Sequence, residues 1–231
     1  MEPVPEPDRY RACLLDALGT TVRLLPPPEH IDPALVAGLS AERVHAAFAA
    51  EMSYYAAHAH EASDPERLGA LRRRCAELLG EGLGRPVTVD ELMASIAFAP
   101  YPDALPALAA LRALDLRIVC VSNWDCGLPA VLERVGLAAS FDAVVASALV
   151  GARKPDPAIF EHALELAGCG AAEAIHVGDT SADVAGARAA GIDVLRIVRD
   201  GSGGDIGSLA ELPAIVRSGP PTHRIGQDPR R

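Results

Sequence analysis

Five short stretches rich in branched apolar residues punctuate the chain, at 12–15, 117–121, 141–146, 174–177 and 193–198. Most are followed by a small or polar residue and then by apolar positions at helical spacing, at 102–114, 127–135, 156–167 and 181–190. An unbroken apolar run suits a strand covered on both faces. Its alternation with helices predicts a parallel sheet with helices packed on either side. Pro157 falls in the expected first turn of its helix, where a missing N–H costs nothing. Gly136, Gly168 and Gly191 each stand just past an expected helix end.

Between the first and second strands lies a long detour, residues 23–100, helical throughout by pattern. Three helices are expected, at 40–60, 64–79 and 90–98; Asp64-Pro65-Glu66 provides an N-cap, a first-turn proline and an acidic first turn. Residues 80–86 and 100–102 read as loops. So long a connection exceeds a simple crossover. The expected organisation is therefore a Rossmann-like α/β core of residues 1–22 and 101–217 with an inserted α-helical cap domain, residues 23–100. Residues 218–231, rich in Pro and Arg, are expected to be a disordered tail.

Composition narrows the function. Half of the 231 residues are hydrophobic, enough for a substantial core, yet no run approaches the roughly 18 residues of a membrane span. The amino-terminal MEPVPEPDRY lacks the basic and apolar regions of a secretory signal. A net charge of -10 with no basic block argues against nucleic-acid or membrane-surface binding. Five scattered cysteines without a C-x-x-C pair indicate a reduced, disulfide-free, cytoplasmic protein. Lys154 is the single lysine and Asn123 the single asparagine, in a chain whose basic residues are otherwise arginine.

The chemistry-bearing residues cluster after strands, where ligands of open α/β sheets bind. Asp16 follows the first strand, Ser122 and Asn123 the second, and Gly178 and Asp179 the fourth. Lys154 lies beyond the third strand, and Asp183 opens the last of these helices. Three acids at 16, 179 and 183 would repel one another unless a divalent cation sat among them, and hard oxygen ligands favour Mg²⁺. A carboxylate can attack phosphorus, and a lysine can neutralise a transferring phosphoryl group. The set suits phosphoryl transfer on a small anionic substrate.

Taken together, Leu15-Asp16-Ala17-Leu18-Gly19-Thr20, Val119-Cys120-Val121-Ser122-Asn123, Lys154-Pro155-Asp156-Pro157 and His176-Val177-Gly178-Asp179 through Asp183 resemble the four motifs of the haloacid dehalogenase superfamily, in its branch with a helical cap after the first motif. The resemblance implies Asp16 as nucleophile. It implies a Mg²⁺ site of Asp16, the Leu18 backbone carbonyl, Asp179 and Asp183. It also implies phosphate contacts from Ser122, Asn123, Thr20 and Lys154, with Lys154 restraining Asp16, in a monomer or homodimer. Family phosphatases usually carry a second aspartate where Leu18 stands, to protonate the leaving group and then activate water. Three readings follow: a Mg²⁺-dependent phosphatase that is slow or selective for good leaving groups, a 2-haloacid dehalogenase, or a non-catalytic regulatory protein. A phosphonate hydrolase using a cap lysine is excluded, because the cap has no lysine.

Around this set, His58 and His60 sit two apart on the expected helix and make a poor metal pair, although either could stand in for the missing acid. Tyr54 and Tyr55 read as cap packing or as the substrate entrance. Arg72-Arg73-Arg74 reads as a solvated face that could also steer an anion, and His176 reads as a buried, hydrogen-bonded strand residue.

Overall fold

Residues 12–15, Ala-Cys-Leu-Leu, have no exposed surface, so both faces of this strand must be covered. The computed structural model describes residues 10–200 and 202–218, and it places this strand at the centre of a five-stranded sheet. In chain order the elements are β1 (Ala12–Leu15), β2 (Val22–Leu24), α1 (Pro33–Val36), α2 (Ala41–His58), α3 (Pro65–Leu83), α4 (Val89–Ser95) and β3 (Phe98–Pro100). There follow α5 (Ala104–Arg112), β4 (Arg117–Ser122), α6 (Leu128–Arg134), β5 (Ala143–Ala146), α7 (Ser147–Val150) and α8 (Ala158–Ala167). The chain then runs through β6 (Ala174–Gly178), α9 (Ser181–Ala189), β7 (Asp193–Arg196) and α10 (Leu212–Ser218).

The sheet order is β5-β4-β1-β6-β7, and each neighbouring pair is parallel. Side chains alternate between faces with period two. Cys13 and Leu15 of β1, Ile118 and Cys120 of β4, and Ile175 and Val177 of β6 join one apolar cluster, with Leu108 and Leu111 of α5 and Leu128 of α6. Ala12, Leu14, Val119, Val121 and Ala174 join a second cluster on the opposite face, with Phe160 of α8 and Ala187 of α9. The connection order reverses at β1, with β4 on one side and β6 on the other, so the crevice expected of a doubly wound sheet opens beyond Leu15.

Residues 23–100 form a third apolar cluster of their own, chiefly between α2 and α3. Helix α3 buries Leu68, Leu71, Cys75, Ala76, Leu79 and Leu83, the spacing of one helical face. Ser40, Asp64 and Thr88 cap α2, α3 and α4, and Thr88 and Glu91 form a reciprocal capping box.

Several expectations need correction. The detour is not helical throughout: β2 and β3 form a two-stranded antiparallel ribbon, with Val22 paired to Pro100 and Leu24 to Phe98. Phe98 therefore belongs to a strand rather than to the third helix, which is α4. The loop expected from residue 80 begins only after Leu83. Gly80 and Gly82 stay helical, and a Cβ on Gly82 would stand 2.6 Å from the Cβ of Ala47. Close packing of α2 on α3, not a turn, explains that glycine. Pro157 is the N-cap of α8, one position before the first turn. Gly136, Gly168 and Gly191 do take left-handed backbone just past helix ends, at φ 75°, 67° and 75°. Helix α10 reaches Ser218, and residues 219–231 of the expected tail lie outside the described residues, as does most of the amino-terminal MEPVPEPDRY. No described helix is long and apolar enough to cross a membrane.

Candidate active site

The strand register brings the four segments together. Leu15 is level with Cys120 of β4 and Val177 of β6, and the Asp16 N–H donates to the Val177 carbonyl at 2.9 Å. The chain leaves the sheet at Asp16 after β1, just past Ser122, the last residue of β4, and at Asp179 after β6. The loop between α7 and α8 delivers Lys154 to the same rim.

Asp16 Oδ1 accepts from Lys154 Nζ at 2.7 Å and from Ser122 Oγ at 2.9 Å. Its other oxygen, Oδ2, takes no hydrogen bond among the described residues, which leaves it free to attack an electrophile. Lys154 Nζ also donates to Asp183 Oδ1 at 2.5 Å. Lys154 is only 3% exposed, so the solitary lysine is no surface charge. Ser122 does not cap the helix that follows, since α6 starts at Leu128 behind Gly127.

One ligand oxygen each from Asp16, Asp179 and Asp183 lies within 4.8 Å of the others. Asp183 is already engaged on both oxygens: Oδ1 by Lys154 and by the His176 ring nitrogen Nε2 at 3.0 Å, Oδ2 by the Thr180 hydroxyl at 2.5 Å and its N–H at 3.1 Å. Asp179 is the reverse case, because its Oδ1 is buried with no partner. A buried carboxylate oxygen without a donor is costly and calls for a cation. The residues present therefore fit a hard divalent ion, with Asp16 and Asp179 in the better position to hold it and Asp183 holding Lys154.

The titration behaviour reflects the same crowding. Burial pushes the Asp16 carboxyl up to about 6 against the pull of Lys154, with Asp183 adding to the rise. Burial and then the neighbouring Asp183 also raise Asp179. Burial opposes ionisation of Asp183 too, but Lys154 and the His176 bond overcome it and hold this carboxyl far below the ordinary range. Asp16 and Asp183 hold the Lys154 ammonium above its ordinary value despite burial.

Gly19 makes the geometry possible. Its φ is +85°, and a Cβ there would stand 2.2 Å from Asp179 Oδ2. Gly19→Ala is expected to lose about 1–3 kcal/mol, from left-handed strain and displacement of that carboxylate. Urea unfolding measures it; an unchanged midpoint would mean that Asp179 swings aside freely.

Asn123, Thr20 and Leu18 differ in what engages them. The Asn123 amide is spent on the backbone of Lys154: Nδ2 donates to the Lys154 carbonyl at 3.0 Å, and Oδ1 accepts from the Lys154 N–H at 2.8 Å. Its side chain thereby braces the Lys154 backbone. Thr20 is fully buried with its Oγ1 unpartnered. The Leu18 side chain is 40% exposed at the mouth of the turn, where Leu18 bridges to Val22. Neither cap histidine bonds to the acidic cluster among the described residues. His58 pairs with Glu61 at 3.1 Å, and His60 Nδ1 lies 3.3 Å from Arg153 Nη1.

Other contacts were not visible in the motifs. His176, buried in β6, reaches from the Leu14 carbonyl on one side to Asp183 on the other, against the edge of Phe160. Tyr55 OH donates to the buried Asp125 at 2.7 Å, tying α2 to the loop after β4. The three arginines divide: Arg74 pairs with Glu77 and Glu81, Arg73 is exposed, and Arg72 turns toward Gly127.

A family model described as haloacid dehalogenase-like hydrolase matches residues 10–191. The chain belongs to the haloacid dehalogenase-like hydrolase family. It is 40% identical over 128 residues to a plasmid-encoded phosphoglycolate phosphatase of Cupriavidus necator, covering 50% of this chain and 55% of that one. It is 44% identical over 86 residues to haloacid dehalogenase-like hydrolase domain-containing protein 3 of Bos taurus, covering 37% and 34%. These matches thus span from about a third to about half of the relatives' length. Among solved structures, L-2-haloacid dehalogenase from Xanthobacter autotrophicus superposes with a TM-score of 0.70 at 25% identity, over 90% of this chain and 99% of that one. The chain thus has phosphatases among its sequence relatives and a dehalogenase among its structural neighbours.

Proposed function

We propose that the chain is a Mg²⁺-dependent hydrolase of a small phosphorylated metabolite, working through an aspartyl-phosphate on Asp16 beneath a helical cap formed by residues 23–100. The observation that carries this reading is the acidic triad, with the buried, unpartnered Asp179 Oδ1 and with Lys154 anchored on Asp16 and Asp183. Asp16, Asp179 and the Leu18 carbonyl would hold the ion, with Asp183 behind them. When bound, Mg²⁺ would supply positive charge beside the transferring phosphoryl group.

The protein's own groups account for the remainder. Oδ1 of Asp16 is pinned by Ser122 and Lys154, so Oδ2 is aimed and is the attacking atom. Its P–O bond forms as the ester P–O bond breaks, and the leaving oxygen departs with the electron pair. Water then attacks phosphorus, its P–O bond forming as the Asp16 O–P bond breaks; a water proton passes to solvent, inorganic phosphate leaves and the Asp16 carboxylate is regenerated. Lys154 stabilises charge on the phosphoryl oxygens throughout. Leu18 can neither protonate the leaving oxygen nor take a proton from water. Esters whose leaving groups need no proton, acyl and aryl phosphates, should therefore be turned over faster than alkyl phosphates.

The apolar Leu18 favours a second reading, dehalogenation of a 2-haloacid, in which Asp16 displaces halide and the ester is hydrolysed by water. Asp179 and Asp183 weigh against it, because they add negative charge beside an anionic substrate. One experiment separates the readings: phosphate release from aryl, acyl and alkyl phosphates with and without Mg²⁺, beside halide release from 2-haloacids. Metal-dependent phosphate release supports the first reading and metal-independent halide release the second. Silence on both would return the chain to the non-catalytic reading. Mg²⁺ should also raise the unfolding midpoint, by the equivalent of roughly 2.7 kcal/mol at a hundred times its Kd.

A further inference from the structure

Two short runs carry the chain between the sheet and the helical segment. The outgoing run passes through Thr20 and Thr21 into β2; the return run leaves β3 through Tyr101 and Asp103. They meet where the Tyr101 N–H donates to the Thr21 carbonyl at 3.0 Å. Arg199, in the loop after β7 and outside all four motifs, grips both. Its Nη2 donates to the Thr20 carbonyl, its Nη1 donates to Asp103 Oδ2 at 2.6 Å, and its guanidinium carbon lies 3.9 Å from the centre of the Tyr101 ring. The same Asp103 oxygen accepts from Ser208 Oγ at 2.6 Å and the Leu209 N–H at 2.8 Å, which fixes it to the core.

The grip reaches the nucleophile in few steps. Thr20 stands four residues after Asp16, and the neighbouring Thr21 hydroxyl lies 3.0 Å from the Asp16 carbonyl, to which it donates. Three polar atoms in this knot are buried without partners: Thr20 Oγ1, Asp103 Oδ1 and Arg199 Nε.

We propose that Arg199 is a positioning residue, clamping the turn that carries Asp16 and Leu18 to the return crossing and so setting their place beneath the helical segment. The role needs a guanidinium. Two donors diverge to two acceptors while a flat face lies on tyrosine, and a lysine ammonium cannot do all three. Only the kinetic arm of the test rests on the hydrolase reading above.

Arg199→Lys and Arg199→Met test the clamp. Lysine keeps the charge beside Asp103, so its unfolding midpoint should stay near that of the wild type. It loses the second bond, so kcat should fall about 10-fold or more while KM moves far less, as expected when reacting groups are misplaced. In both variants hydrogen exchange should quicken about 10-fold or more at the amides of 19–22 and at Tyr101, with β4 and β6 still protected. Wild-type exchange at these amides in either variant would overturn the clamp. So would protection lost evenly across the sheet, or a lysine variant with unchanged kcat. If the wild-type protein turns over neither phosphate esters nor haloacids, the hydrolase reading fails, and the exchange pattern alone still decides the clamp.

Discussion

Asp16→Asn should abolish turnover while leaving the fold intact or slightly more stable. The loss is expected at roughly 10⁴-fold or more, because no other residue can take over a covalent nucleophile that acts as a unit with its partners. The stability side follows from charge. Asp16, Asp179 and Asp183 set three negative charges against one ammonium in a buried site. Asparagine removes one negative charge and still offers an Oδ1 to Ser122 and Lys154. Lys154 also keeps Asp183, so its ammonium is not stranded. The sign is checked by pH. An acid whose folded pKa is raised, here to about 6, contributes stability at low pH that is lost as pH climbs from about 4 through 6. The amide does not titrate. In chelator, the midpoint of the variant relative to the wild type should therefore rise across that window and level off above it. A variant with wild-type turnover would remove the nucleophile assignment. A midpoint that falls with pH relative to the wild type would show that the Asp16 charge stabilises the fold.

The strands were legible because the sheet is covered on both faces, so β1, β4 and β6 had to be nearly continuous apolar runs. His176 could be read as buried within such a run, but not its bond to Asp183, because a strand and a helix N-terminus meet only in the folded chain. The ribbon of β2 and β3 was hidden for a different reason. Each strand is three residues long, Pro100 ends one of them, and most of the helical segment separates them, so no turn signal joins them. In the site, rarity set Lys154 and Asn123 apart, yet it could not say that Asn123 serves the backbone of Lys154. Arg199 left no trace at all. One of its contacts is to a backbone carbonyl that any residue at position 20 would supply, and Asp103 lies 96 residues away along the chain. Asp125 and Tyr55 likewise share no spacing, since the bond joins the helical segment to the core.

Leu18→Asp should raise phosphatase turnover, by about 10²–10⁴-fold for alkyl phosphates and much less for aryl or acyl phosphates. Position 18 lies two residues beyond the nucleophile, and its side chain is 40% exposed, so a carboxylate there would not bear the desolvation that raises Asp16. The backbone of the turn should survive, because it is held by Gly19 N–H to the Val22 carbonyl at 2.8 Å and by Thr21, not by the leucine side chain. The new acid would protonate the leaving oxygen in the first step and accept a proton from water in the second. Selectivity is therefore the sharper signature: an added proton donor helps most where the leaving alkoxide is most basic. Leu18→Asn is the control, having the same shape without a transferable proton, and it should gain nothing. Equal rates for the two variants, with Mg²⁺ still raising both unfolding midpoints, would mean that the turn does not aim residue 18 at the leaving group. The site would then be arranged for chemistry other than phosphate-ester hydrolysis by water, and the apolar residue would be part of its design.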